Sequence, residues 1–264
     1  PKLIFNNIII DETGQEATSN YEVKSVLSFV FGFLIYIFIF MYGSLVMRGV
    51  IEEKTNRIVE IIVSSVKPFQ LLFGKIIGVA LVGFTQFILW ILLSLLVAYI
   101  AQLSLIDQNL NVFENMYFLI KDIDINSLSI YFLLYFMGGY LLYSSFFACI
   151  GSAVDNESDT QQMILPLTIP LILSLSMIES IINNPDGILS FWMSMFPLSS
   201  PIVMMARLPF GGVENWELFL SFFILILSFI ITTWISSRIY RVGILMYGKK
   251  ASFKELIKWI KYKG

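Results

Sequence analysis

The stretch Arg48–Lys75, RGVIEEKTNRIVEIIVSSVKPFQLLFGK, is the longest charged segment inside an otherwise apolar chain, and two long apolar runs flank it. Read as a helix from about Gly49 to Ser65, it has two faces. Glu53, Asn56, Arg57, Glu60 and Ser64 recur at spacings of three and four on one side, while Ile51, Ile58, Ile62 and Val66 take the other. Glu53 precedes Arg57 by four residues, the favourable order for an exposed ion pair worth about 0.2–0.5 kcal/mol. Glu52 and Glu53 lie in the first turn, where the helix dipole favours negative charge. Pro68 then breaks the helix and can open the next one. Two readings fit this pattern. One is an interfacial helix lying on a membrane surface. The other is a docking helix that carries force from a soluble partner.

The flanking runs set the class of protein. Of 264 residues, 57% are hydrophobic and only 14% charged, against about a quarter charged in a soluble domain. Mean hydropathy is +0.81. The chain is an integral membrane protein. It has no histidine, which removes His-based acid–base chemistry, His metal sites and His triads. The one cysteine, Cys149, lies in an apolar run, so neither an internal disulfide nor a Cys-based metal site is possible. The net charge of −2 carries no nucleic-acid signature, and no nucleic-acid partner is expected. The chain opens on Pro1 with no signal-peptide pattern, and is expected to be part of a longer protein.

Outward from Arg48, residues 26–47 carry no charge and suffice to cross a hydrocarbon core of roughly 30 Å. Residues 69–101 exceed what one span needs, so the helix must tilt or begin as a shallow segment. Lys75 near its entry can snorkel to the headgroups, and Gln86 deeper in is expected to hydrogen-bond between helices or to line a pathway. Further spans are expected at 128–154, 163–182 and 217–238. In the third, Ser144, Ala148 and Ser152 form a small-residue stripe suited to close helix packing. The acidic turn Asp155–Asp159 lacks the glycine and the distant glutamate of a calcium loop, and no metal site is assigned to it. Pro166 and Pro170 should bend the fourth span, and Glu179 is its one carboxylate, a pathway candidate by default. Residues 183–214 hold apolar pieces too short to cross, interrupted by Pro185, Pro197, Pro201, Pro209, Gly211 and Gly212, with Arg207 as their only base. These suit a re-entrant pair. Trp216 and Trp234 anchor the fifth span. Residues 3–10 read as a short strand and residues 113–120 as a helical turn. The chain thus divides into a juxtamembrane segment 1–24, the end of an external domain; a membrane region 25–241; and a basic tail 242–264. In the tail, Phe253, Leu256, Ile257 and Ile260 share a face expected to lie on an anionic leaflet.

Five spans put the two ends on opposite sides. One side collects Arg48, Lys54, Arg57, Lys67, Lys75, Arg238, Arg241 and the tail lysines; the other has Lys2, Lys24, Lys121 and Arg207. The positive-inside rule assigns the first set to the cytoplasm. The first residues of the chain then face out, so an upstream span and an external domain are expected.

Three stretches carry a family resemblance: GVIEEKTNRIVEIIVSSVKPFQLLFGKIIG (Gly49–Gly78), SSFFACIGSAVDNESDTQQMILPLTIP (Ser144–Pro170) and FPLSSPIVMMARLPFG (Phe196–Gly211). In them the chain resembles permease subunits of ATP-binding-cassette (ABC) transporters of the type-2 exporter family, and within it the NatB-like sodium-export group. The resemblance implies an all-α bundle of six spans, of which this chain supplies the last five. It also implies a cytoplasmic coupling helix docked on a separate ATPase subunit, with Glu52, Glu53, Lys54, Arg57 and Glu60 as contacts. The segment holding Pro197, Pro201 and Arg207 would be an external re-entrant gate. A second permease copy or paralogue would complete a homodimer or heterodimer in the bilayer. The chain departs from an ATPase itself. Its nearest phosphate-loop pattern, Gly243 to Lys249, is followed by Lys250 where Ser or Thr should bind magnesium, and a membrane span precedes it. ATP and magnesium therefore belong to the partner, and this chain is expected to bind no cofactor and to be no enzyme. Sodium follows only from the subgroup; lipids, peptides or drugs remain alternative cargoes. A non-transporting scaffold that pulls on external partners is the rival reading. An intramembrane enzyme would need convergent groups that the spans do not offer.

Overall fold

The computed structural model describes residues 19–58, 65–105, 123–246 and 253–260. The expected strand at 3–10, the turn at 113–120, and Glu60 lie outside them. Among the described residues the regular structure is helical, with no strand: α1 (Ser19–Thr55), α2 (Pro68–Leu105), α3 (Ile125–Ala153), α4 (Gln161–Ser176), α5 (Ile178–Asn183), α6 (Ile188–Met195), α7 (Ser200–Arg207), α8 (Asn215–Gly243) and α9 (Phe253–Ile260). Five segments are long and apolar enough to cross a membrane: α1, α2, α3, the α4–α5 stretch and α8.

α3 is the core of the bundle. Of its most apolar stretch 72% is buried, against 17% in α2. Asp124 caps it, accepting from the Ser127 amide (3.2 Å) and hydroxyl (2.6 Å). These two bonds hold the Asp124 carboxyl below its ordinary pKa. The small-residue stripe is a packing seam, with Ser144, Ala148 and Ser152 fully buried. Beside it, a Cβ on Gly151 would stand 2.7 Å from the Met47 carbonyl oxygen of α1, and one on Gly243 would stand 2.8 Å from Ser152 O. Only glycine lets these backbones approach so closely.

The helix expected from Gly49 to Ser65 is not one piece. α1 runs unbroken from the first span through Glu52, Glu53 and Lys54 to Thr55. The chain then reverses at Arg57, whose φ of 55° is left-handed and closes the helix by an Arg57 N to Lys54 O bond of 3.0 Å. Continuity follows from the residues themselves: Val46, Val50 and Lys54, spaced by four, are all buried and extend the inward stripe of the span.

The overlong second span is a single helix of 38 residues, about 57 Å at 1.5 Å per residue. From Ile88 to Ile100 every residue is exposed. In the fourth span, α4 contains both Pro166 and Pro170, and the helix is interrupted at Met177 before α5 resumes. The tail helix α9 differs from expectation. Leu256 and Trp259 are buried, Arg238 Nη1 donates to Ile260 O (3.3 Å), and Ile257 is left exposed. Its apolar side therefore packs on the bundle beside α8.

Candidate functional site

Two polar clusters sit at opposite ends of the bundle. At the first, the α1 terminus meets α2 and α3. The Lys54 side chain is 2% exposed; its Nζ forms an ion pair with Asp155 Oδ1 (2.9 Å) and donates to Ser152 O (2.9 Å). Ser152 lies in the last turn of α3, where carbonyls lack intrahelical partners and a cation is favoured. Lys54 thus caps α3 from another helix. Next to it, Glu53 Oε2 forms an ion pair with Lys75 Nζ of α2 at 2.6 Å. The Thr55 hydroxyl adds a 3.3 Å bond to Asp155 O. Arg48 and Glu157 approach to 3.7 Å with both side chains largely exposed, a pair worth about 0–1 kcal/mol. Tyr240 of α8 is fully buried behind this cluster.

This geometry sorts the residues expected to touch a partner. Glu52 and Arg57 are exposed, Glu53 is half-buried on Lys75, and Lys54 points inward. Lys54 is correspondingly not presented to a partner, because its burial follows the α1 stripe rather than the polar face of a separate helix. The acidic turn turns its Asp155 and Glu157 carboxylates to α1 cations. Among the described residues no three His, Cys, Asp or Glu side chains converge as metal ligands.

At the second end, α6 and α7 are short, and every residue of α7 is buried. Pro201 starts α7 as a first-turn proline. It packs so closely on α3 that a Cβ on Gly139 would come 2.8 Å from its ring. Arg207 closes α7 and is 1% exposed. Its guanidinium donates to Pro185 O (2.7 Å), Ser194 Oγ (2.7 Å) and Glu217 Oε2 (2.8 Å). Asp186 stands at 4.0 Å and is mostly exposed. One side chain therefore ties α7 to α6, α8 and the α5–α6 turn. Gly211, with φ 79°, supplies the left-handed turn that brings Glu217 back to Arg207. Tyr143 OH of α3 donates to Leu198 O between α6 and α7 (2.8 Å), and Tyr135 OH to Leu218 O (3.1 Å).

The two pathway candidates have different neighbours. Gln86 accepts from Tyr42 OH, joining α2 to α1. Glu179 is exposed on α5, in its first turn. Pro197 lines a cavity of about 640 Å³ together with Pro170, Leu173, Trp192, Phe196 and Ile224. The serines of that cavity spend their hydroxyls on the backbone, Ser174 on Pro170 O and Ser199 on Met193 O, so its wall is apolar. Glu217, Ser194, Asp155 and Tyr143 were not singled out by sequence as partners. No spacing rule pairs them with Arg207, Lys54 or Leu198.

Comparison with known proteins adds three findings. The family model described as ABC-2 family transporter protein matches residues 5–238. The chain is 31% identical over 230 residues to "Uncharacterized protein YhaP" of Bacillus subtilis (strain 168), covering 87% of this chain and 54% of that protein. It is 29% identical over 240 residues to "Uncharacterized protein MJ1024" of Methanocaldococcus jannaschii, covering 90% of this chain and 54% of that protein. The chain spans about half the length of these curated relatives. No solved structure matches.

Proposed function

The chain belongs to the ABC-2 family of transporter membrane proteins, and on that premise we propose that it couples ATP hydrolysis by a separate nucleotide-binding subunit to export across the cell membrane. The observation that carries this reading is the end of α1. Exposed Glu52 and Arg57 flank a backbone reversal, and the helix that presents them is fastened to α2 and α3 by Glu53 and Lys54. A partner that grips this reversal moves the bundle rather than a loose loop. The Lys54 end, richer in lysine and arginine, faces the cytoplasm in this reading. Arg207 and the α6–α7 pair close the outer side, and a second permease copy or paralogue completes the pathway. Two packings of the spans then alternate as the ATPase binds and releases nucleotide.

For the cargo, the apolar wall of the α4–α6–α8 cavity favours lipids or other amphiphiles over the sodium suggested by the NatB-like resemblance. The test is ATPase turnover of the full-length protein with its ATPase in liposomes, against sodium, lipids and amphiphiles. Turnover that rises with an amphiphile supports export of that class. Turnover that rises with sodium alone overturns the cargo assignment. Stable assembly with turnover indifferent to every cargo overturns export in favour of a mechanical scaffold.

A further inference from the structure

α3 touches both clusters. At one end its Ser152 carbonyl is bound to Lys54 Nζ, and Asp155, two residues beyond the helix, completes the grip. Further along the helix Tyr143 OH holds Leu198 O between α6 and α7, and Gly139, at the middle of α3, lies against Pro201 of α7. Between these attachments run buried residues that α3 shares with α1 and α8. Tyr143 and Gly139 lie nine and thirteen residues before Ser152 on α3, about 14 and 20 Å along the helix, and a close-packed interior transmits displacement rather than absorbing it.

We propose that Lys54 is the positioning residue that fastens the docking segment to α3, and that α3 is the strut through which movement at Arg57 reaches the α6–α7 pair. The inference rests on the reading of the chain as ATPase-coupled. The exposed charges around it cannot carry the load. Arg48–Glu157 is solvated on both sides and separates at little cost. Lys54 is different, because separating it from Asp155 and Ser152 breaks a buried charge pair and a bond to an end carbonyl of α3. The residue therefore keeps α1 and α3 in register when the segment beyond Arg57 is pulled. The Glu53–Lys75 pair does the same for α2.

The test uses the full-length protein assembled with its ATPase. Cys149 is replaced by alanine, and a reporter cysteine is placed at Ile188, which is 81% exposed at the start of α6. The modification rate of this cysteine by a water-soluble maleimide is compared without nucleotide and with ATP, magnesium and vanadate. With Lys54 in place the rate changes severalfold between the two states. Lys54→Met and Asp155→Asn lose that change while the ATPase still copurifies, and Lys54→Arg keeps it. Asp155→Asn retains the Lys54–Ser152 bond and reads the proposal if Lys54→Met does not fold. A nucleotide response in Asp155→Asn and Lys54→Met equal to that of the parent overturns the strut and leaves the ATPase-coupled reading standing. Loss of the ATPase from Lys54→Met alone returns Lys54 to the docking surface and also overturns it. A parent protein that binds no ATPase removes both.

Discussion

Arg207→Met should be the most damaging single substitution at the α6–α7 end. The side chain is buried, and its removal strands Glu217, whose carboxylate is 11% exposed, without a counter-charge. Breaking a buried pair from one side costs about 3–5 kcal/mol. The bonds to Ser194 Oγ and Pro185 O go as well, at about 0.5–1.5 kcal/mol each. Asp186, mostly exposed at 4.0 Å, adds little. Replacing both charges should reverse most of the loss, since exchanging a buried pair for apolar groups is neutral or favourable by about 1–4 kcal/mol. Arg207→Met/Glu217→Met is therefore expected within roughly 2 kcal/mol of the parent. The assay is equilibrium unfolding in mixed detergent micelles, followed by tryptophan fluorescence, with Trp192 and Trp216 near the site. A single variant that costs under about 1 kcal/mol, or a double variant as unstable as the single, would refute the charge-burial argument.

Four further substitutions have expected outcomes. Gly151→Ala should destabilise by about 1–3 kcal/mol because its Cβ meets the α1 backbone. Gly78→Ala, where nothing lies within 4 Å, should stabilise α2 by about 0.5–1 kcal/mol, and the same unfolding assay compares the two. The lowered pKa of Asp124 means its cap is strongest above the unfolded value of 3.8 and is lost as pH falls through the lower folded value. Asp124→Asn, which caps without titrating, should flatten the stability profile as pH falls below 3.8. Arg57→Glu should abolish cargo-stimulated turnover by reversing an exposed charge at the reversal. Unchanged transport with normal subunit copurification would remove Arg57 from the docking surface.

The five apolar segments were legible because each is a long charge-poor run, and a bilayer leaves helices as the way to satisfy the backbone. The small-residue seam was legible for the same reason: Ser144, Ala148 and Ser152 repeat every four residues. What escaped was direction and partnership. Lys54 was expected among the partner contacts although it lies three residues after Ile51 and four before Ile58, on the apolar side. Counted from Ile35 and Ile39 through Val46 and Val50, the buried stripe runs into Lys54. Its partner Asp155 is 101 positions away in sequence, and no periodicity links them. Arg207 stood out as the one base of its segment, yet Glu217 is reached only after Gly211 turns the chain. Tertiary pairings of this kind are set by packing, which a single sequence does not encode locally.

Coupling of the kind proposed requires an ATPase to dock at the α1 reversal. A photocrosslinking residue placed at Arg57 or at Glu52 in the full-length protein, co-expressed with its ABC ATPase, tests this most directly. Adducts with the ATPase at both positions, and none from the same probe at Ile188, are the predicted result. Adducts from Ile188 with silence at Glu52 and Arg57 would contradict the account, because they would put the ATPase at the opposite end of the bundle.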